Sequence, residues 1–223
     1  MAITFFDDLF IIHRALFVFH KTLTTFAFYI FKSMSKTYFE DKIFENQNFS
    51  TTALDKGEYD NCQFTNCTFA NADLMSINFS DCKFTDCDLS LAKISQTAFK
   101  NVAFKDCKIL GLNFEHCNDF LFSVNFDDCN LNFCTFYKLK LKKIIFKNCS
   151  LKEVDFSETD LSGALFDDCN LEKAVFDNTN LEAADFKTSF NYAIDPEKNN
   201  IKKAKFSRAG VHGLLYKYKI EIS

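Results

Sequence analysis

Cys62, Cys67, Cys82 and Cys87 form the densest set of metal-ligating side chains in the sequence, and as thiolates they could complete a four-coordinate zinc site. His116 and Cys117 are neighbours, the pairing from which an activated thiol nucleophile is built. Beyond these the chemistry thins out. The four histidines, His13, His20, His116 and His212, follow no pattern, and no glycine-rich phosphate loop or metal-spaced histidine cluster occurs. Ten cysteines without a recognisable secretory signal point to a reducing compartment rather than a disulfide framework.

The positions of the cysteines decide between these readings. Nine of the ten lie two residues before a large apolar residue; the tenth, Cys117, precedes Asp119. In the stretch NCQFTNCTFANADL, Asn61 to Leu74, a small residue and a large one return together every five residues. A free cysteine packs well as a small apolar group, so these thiols read as wall filling rather than as zinc ligands. Cysteines stacked ~4.8 Å apart also exceed the Cβ separation of ~3.8 Å that a disulfide requires. His116–Cys117 falls where the pattern breaks and reads as a local packing defect. No catalytic residue, cofactor or metal is expected.

A five-residue beat fits neither regular element. On an α-helix five steps of ~100° smear the apolar residues around the cylinder. On a flat strand five steps of ~180° flip each repeat to the opposite face. The chain must therefore bend once per repeat, and asparagine and aspartate supply the bends at Asn61, Asn66, Asn71, Asp81, Asp86, Asp106, Asp128, Asn148 and Asp168. The large position runs unbroken from Phe44 to Phe114, fails at Asp119, and restarts two residues out of phase from Leu121 to Phe186. It holds 29 sites, every one Phe, Leu, Ile or Tyr, a bias that explains the 30 phenylalanines. Cys62 and Cys82 are twenty apart, as are Cys67, Cys87 and Cys107, and Cys129, Cys149 and Cys169. Twenty residues on a five-residue beat means four sides per coil. The expectation is an all-β, four-sided solenoid of about seven coils, roughly 35 Å long, with a dry axis that leaves no internal ligand pocket.

At this point the sequence resembles the pentapeptide repeat family, whose pattern is a small residue, a polar one, Leu or Phe, then two variable positions. Asn71–Met75, Ser162–Phe166 and Ala183–Lys187 lie in or near it. The resemblance covers about 44–186 and implies a right-handed quadrilateral β-helix.

The ends differ from this body, taken as 34–186 with its phase break near 115–121. Residues 1–33 are very apolar and carry no beat. Three readings fit them: an upstream extension with Met34 as the natural start, a membrane anchor, or a helix capping the first coil. Arg14, His20 and Lys21 interrupt the run, so its uncharged segments fall short of the ~20 residues a membrane span needs. In 187–223, TSFNYAIDPEKNN reads as a loop, and IKKAKFS restores one partial repeat around Phe206. Ser207 then starts a short helix bearing Val211, Leu214, Leu215 and Tyr218 on one face. Ile220 and Ile222 alternate in a short strand. A helix and strand after the last coil resemble the Qnr-type quinolone-resistance proteins of the family. That resemblance implies a homodimer joined through this region, and a cytoplasmic protein that binds DNA gyrase or topoisomerase IV by imitating DNA. It implies no small-molecule ligand and no direct binding of nucleic acid. Many Qnr-type proteins project long loops that matter for protecting gyrase; here the short shift at His116–Leu121 is the one break in the body.

Charge bears on the imitation. Residues 138–152 hold six lysines and no acid. The next stretch carries ten acids against the single Lys173: Glu153, Asp155, Glu158, Asp160, Asp167, Asp168, Glu172, Asp177, Glu182 and Asp185. On fewer than two coils, about 8 Å of axis, that block matches the local charge density of a duplex, one negative charge per ~1.7 Å. These ten residues are the expected partner surface. The alternative is a structural scaffold for a different protein partner, in one version tethered to a membrane through 1–33.

Overall fold

Each five-residue repeat builds one straight side and one corner. In Gln63–Thr65, a three-residue strand, Phe64 points inward, and Asn66 then turns the chain at φ 51°. That left-handed conformation suits asparagine and aspartate better than other residues with a Cβ. All nine corner residues expected from the sequence adopt it, from Asn61 to Asp168. Corner side chains also join successive coils: the Nδ2 groups of Asn61, Asn66 and Asn101 donate to Asp41, Asn46 and Asp81 at 2.7, 2.6 and 2.6 Å. The computed structural model describes residues 37–221. The readings made for 1–33, and the strand position Ile222, lie outside them.

The sides stack in parallel with a step of twenty residues. Phe64 pairs with Phe84, and Phe146 lies between Phe126 and Phe166. One side is a nine-stranded parallel sheet running from Ile43–Glu45 to Lys205–Phe206. Nine strands make eight steps, so the rod is about one coil longer than expected, ~38 Å at the usual strand spacing. A four-stranded sheet covers the first coils of another side, and isolated parallel bridges such as Thr68–Asp88 and Asp155–Val175 carry the same register around the remaining walls.

The axis is filled with rings. Phe126, Phe146 and Phe166 stack face to face at 5.5 and 5.1 Å, and Phe146 meets Phe156 of the next side edge-on at 5.8 Å and 73°. Of the 29 large sites all but three are buried; Phe44 and Phe49 of the first coil are half-buried, and Leu121 is exposed. The phase break explains Leu121. Phe104 pairs with Phe126, a step of twenty-two, and the two extra residues are absorbed at 118–122. Leu121 turns outward at φ 60°, and Phe122 takes the inward place, edge-on to Phe99 and Phe114.

Two expectations for the C-terminal region are corrected. The coil does not stop at Phe186: Phe186 pairs with Phe206, and the stretch read as a loop forms the walls of the last coil, with Tyr192 and Ile194 buried. After Phe206 there is no α-helix and strand. Val211–Leu214 and Tyr216–Tyr218 are 3-10 turns, and no strand forms at 219–221. Gly213 accounts for this. Ile194 N–H donates to the Gly213 carbonyl at 3.0 Å, and any Cβ at 213 would collide with the backbone of Tyr192. The segment is pinned flat on the last coil instead of rising as a helix.

Candidate functional site

The cysteines are wall residues. All ten are free and buried. All but Cys129 reach main-chain carbonyls of the coil below, as Cys87 does to Phe64 O and Cys169 to Phe146 O, each at 3.4 Å; Cys129 Sγ faces Asp127 O at 3.3 Å. Thr159 and Thr179 take equivalent places and donate to Phe136 O and Phe156 O at 2.9 and 2.8 Å. Burial pushes the Cys82 and Cys134 thiols up to about 12, and it raises Cys117 still further. A thiol held this firmly protonated is a poor nucleophile. His116 is mostly exposed and lies 3.6 Å from Glu115, while Cys117 Sγ faces Ile94 O at 3.5 Å. Among the described residues no group of three or more His, Cys, Asp or Glu is placed to hold a metal ion.

The acidic block is placed on the last coils, interleaved with lysines. Glu158 pairs with Lys138 at 3.4 Å, Asp160 with Lys142 at 3.4 Å, and Glu172 with Lys152 at 2.8 Å, all toward the preceding basic coil. Asp177 pairs with Lys198, Glu182 with Lys202, and Asp185 with Lys187 and Lys205, at 3.5–3.7 Å. Glu153 takes Lys173 at 3.7 Å. Asp155, Asp167 and Asp168 pair with no lysine among the described residues; Asp155 accepts from Ser157, and Asp167 from Thr188 Oγ1 at 2.9 Å. The Lys152 ammonium holds Glu172 below its usual range. Asp160 is likewise lowered: burial opposes this but is outweighed by Ser162 and Lys142. The twenty-residue spacing of these pairs is visible in the sequence once the coil length is known, and it is the signal by which the pairing could have been found.

Carboxylates without lysine partners gather elsewhere. Asp86, Asp106 and Asp128 each stand two residues after an inward phenylalanine of the nine-stranded side, so they line one corner on consecutive coils. Asn148 and Asp168 continue the row, with Asn148 Nδ2 3.5 Å from Asp128. None of these four aspartates makes an ion pair with a described residue. Asp41 and Asp81 occupy the corner on the other flank of the same side.

The cap carries the expected dimer residues. Val211, Tyr218 and Ile220 are exposed, whereas Leu214 and Leu215 are half-buried, Leu214 against the core. Lys217 clips the cap to the last coil, its Nζ 2.7 Å from both Asp195 and Glu197.

A sequence profile described as the pentapeptide repeat region matches 57–120, 77–153 and 119–206. The chain belongs to the pentapeptide repeat family. Among solved structures, a trypsin-treated form of QnrB1, described as a plasmid-mediated fluoroquinolone resistance protein, overlays with a TM-score of 0.54 at 16% identity, covering 82% of this chain and 99% of that one. HetL, a pentapeptide repeat protein involved in heterocyst differentiation regulation from Nostoc sp. strain PCC 7120, gives 0.35 at 14% identity over 79% of this chain and 91% of that one. At such identities the likeness concerns fold alone. No curated protein matches the chain. Among the described residues of this pentapeptide repeat protein, no helix is long and apolar enough to cross a membrane.

Proposed function

We propose that this chain is a non-catalytic, protein-binding rod of the cytoplasm that engages DNA gyrase or topoisomerase IV by presenting carboxylates where a duplex presents phosphates. The observation that supports this reading is the corner row of Asp86, Asp106 and Asp128, which make no ion pair with any described residue. With Asp41 and Asp81 it places carboxylates along both flanks of one side, as two phosphate backbones flank a groove. At one charge per ~4.8 Å a single row is sparser than one DNA strand, at ~3.4 Å, so both rows are needed for the resemblance. Of the ten acids first assigned to the partner surface, Asp155, Asp167 and Asp168 keep that role best, because the other seven already hold lysines. The dimer joins through the cap, where Val211, Tyr218 and Ile220 offer an apolar face.

The test is inhibition of gyrase supercoiling by the purified protein. Asp86→Lys, Asp106→Lys and Asp128→Lys together should abolish inhibition, while Asp155→Lys, Asp160→Lys and Asp185→Lys should weaken it less. Equal loss in the two triple variants, or no inhibition by the parent, contradicts the reading. Size measurement of Tyr218→Asp with Ile220→Asp tests the dimer, which should become monomeric.

A second reading, a scaffold for another protein, is favoured by one observation. Leu91, Leu121 and Phe133 are exposed at corners with φ 56°, 60° and 65°, where bulky apolar residues are disfavoured. An apolar anchor for a partner protein would explain why they are there. Affinity capture from the native cell that returns a partner unrelated to topoisomerases supports this alternative.

A further inference from the structure

One inward row of the coil is lined by thiols without a gap. Cys67, Cys87, Cys107, Cys129, Cys149 and Cys169 each precede a residue of one continuous series of parallel bridges, so they occupy the same place on six successive coils. The row runs straight through the phase break, which in the sequence divides it into two sets of three. All six thiols are buried. Five of them lean the same way: the Sγ atoms of Cys67, Cys87, Cys107 and Cys169 approach the carbonyl of a phenylalanine on the coil below at 3.4 Å and that of Cys149 at 3.6 Å, while Cys129 faces Asp127 O at 3.3 Å. Side chains leaning in parallel are spaced by the coil step, ~4.8 Å.

This spacing suits one kind of ligand. It is too long for a disulfide, whose Cβ atoms lie ~3.8 Å apart. A straight row cannot surround one point as tetrahedral zinc requires. A cation held linearly between two sulfurs, with metal–sulfur bonds of about 2.3 Å, sets those sulfurs about 4.6 Å apart, close to the coil step. Soft thiolates select copper(I) over harder ions.

We propose that this thiol column binds thiophilic monovalent cations, copper(I) or silver(I), each held between two neighbouring sulfurs. Loading the row of six breaks six S–H bonds, releases six protons to solvent and forms ten sulfur–metal bonds around five cations; no electron is transferred. Six thiolates and five cations leave one net negative charge, and the length of the row does not add to it, so the desolvation cost does not grow with each ion. The phenylalanine-filled axis beside the row keeps water out and the coordination number low. Burial keeps the empty thiols protonated, and the affinity of the cation for sulfur drives their deprotonation.

Cysteine-to-serine exchange leaves the wall intact, because Ser189 already holds the seventh place in this row and its Oγ donates to Phe166 O at 2.7 Å. Reduced full-length protein is exposed to silver nitrate in chloride-free buffer, both as folded chain and during refolding from denaturant. Ions per chain are counted by native mass spectrometry, with circular dichroism reporting the fold. The expected result is uptake by folded chain in at least one mode, with a raised unfolding temperature. Cys87→Ser with Cys107→Ser should bind three ions fewer than the parent, and Cys117→Ser with Cys134→Ser, outside the row, should lose none. No uptake in either mode, equal uptake by the two double variants, or uptake confined to chains that have lost their strand signal would overturn the proposal.

Discussion

Lys152 and Glu172 stand twenty residues apart in sequence and one coil apart in space, with Nζ 2.8 Å from the carboxylate. Lys138 with Glu158 and Lys202 with Glu182 repeat the relation at 3.4 and 3.7 Å. Charges that look like separate basic and acidic blocks along the chain are therefore rungs between coils.

Those rungs give stability a pH dependence. Asp160, Glu172 and Asp185 are held below their ordinary values, so the unfolded chain binds their protons more readily than the folded one. Their contribution is present above the unfolded carboxylate range, about pH 4, and is lost as pH falls through the folded values. These pairs are exposed and screened by solvent, so each contributes little. The unfolding temperature should stay level from neutral pH to about 5 and then fall, with a modest drop in high salt at pH 7. A rise on acidification contradicts the ladder.

Phe146 lies midway in its column, stacked on Phe126 and Phe166 and edge-on to Phe136 and Phe156. Phe146→Ala leaves a ring-sized cavity that the flanking coils cannot close, and should cost about 3–5 kcal/mol in denaturant unfolding. A cost under about 1 kcal/mol would mean that the walls relax freely.

The thiols should be silent in the folded state. With Cys82 and Cys134 pushed up to about 12 by burial, alkylation with iodoacetamide at pH 8 should modify none of the ten before unfolding and all ten after. Rapid labelling of Cys117 alone would mark the phase break as open.

Phe133 is exposed at a corner with φ 65°. Asparagine tolerates that conformation better, so Phe133→Asn should stabilise the rod by on the order of 0.5–1 kcal/mol. If the ring instead packs productively on the corner, stability falls, and the reading of Phe133 as a partner anchor weakens with it.

Much of this architecture is legible in the sequence because one constraint recurs. The inward Phe and Leu sites, the Asn and Asp corners and the cysteine spacing each report the same five-residue side and twenty-residue coil. What escaped was irregular or depended on register. Leu121 satisfies the pattern yet turns outward, because Phe122 is the better-placed ring after a two-residue insertion. The last coil has the sequence of a loop because its walls between Phe186 and Phe206 abandon the beat while keeping the step of twenty. The cap has the apolar spacing of an α-helix; a close approach of Gly213 to Tyr192, invisible in sequence, prevents one. The partners of the acidic block are hidden in the sequence because all but Lys187 lie one coil away, not nearby in the chain.

Excising whole or partial coils tests the repeating square coil most directly. Deleting residues 147–166 removes twenty residues and joins Phe146 to Asp167 in register, since Phe146 and Phe166 occupy equivalent places. This variant should unfold cooperatively and be ~4.8 Å shorter by solution scattering. Deleting 147–156, half a coil, should abolish cooperative unfolding. If the half-coil deletion folds as well as the full one, or neither folds, the four-sided coil is contradicted.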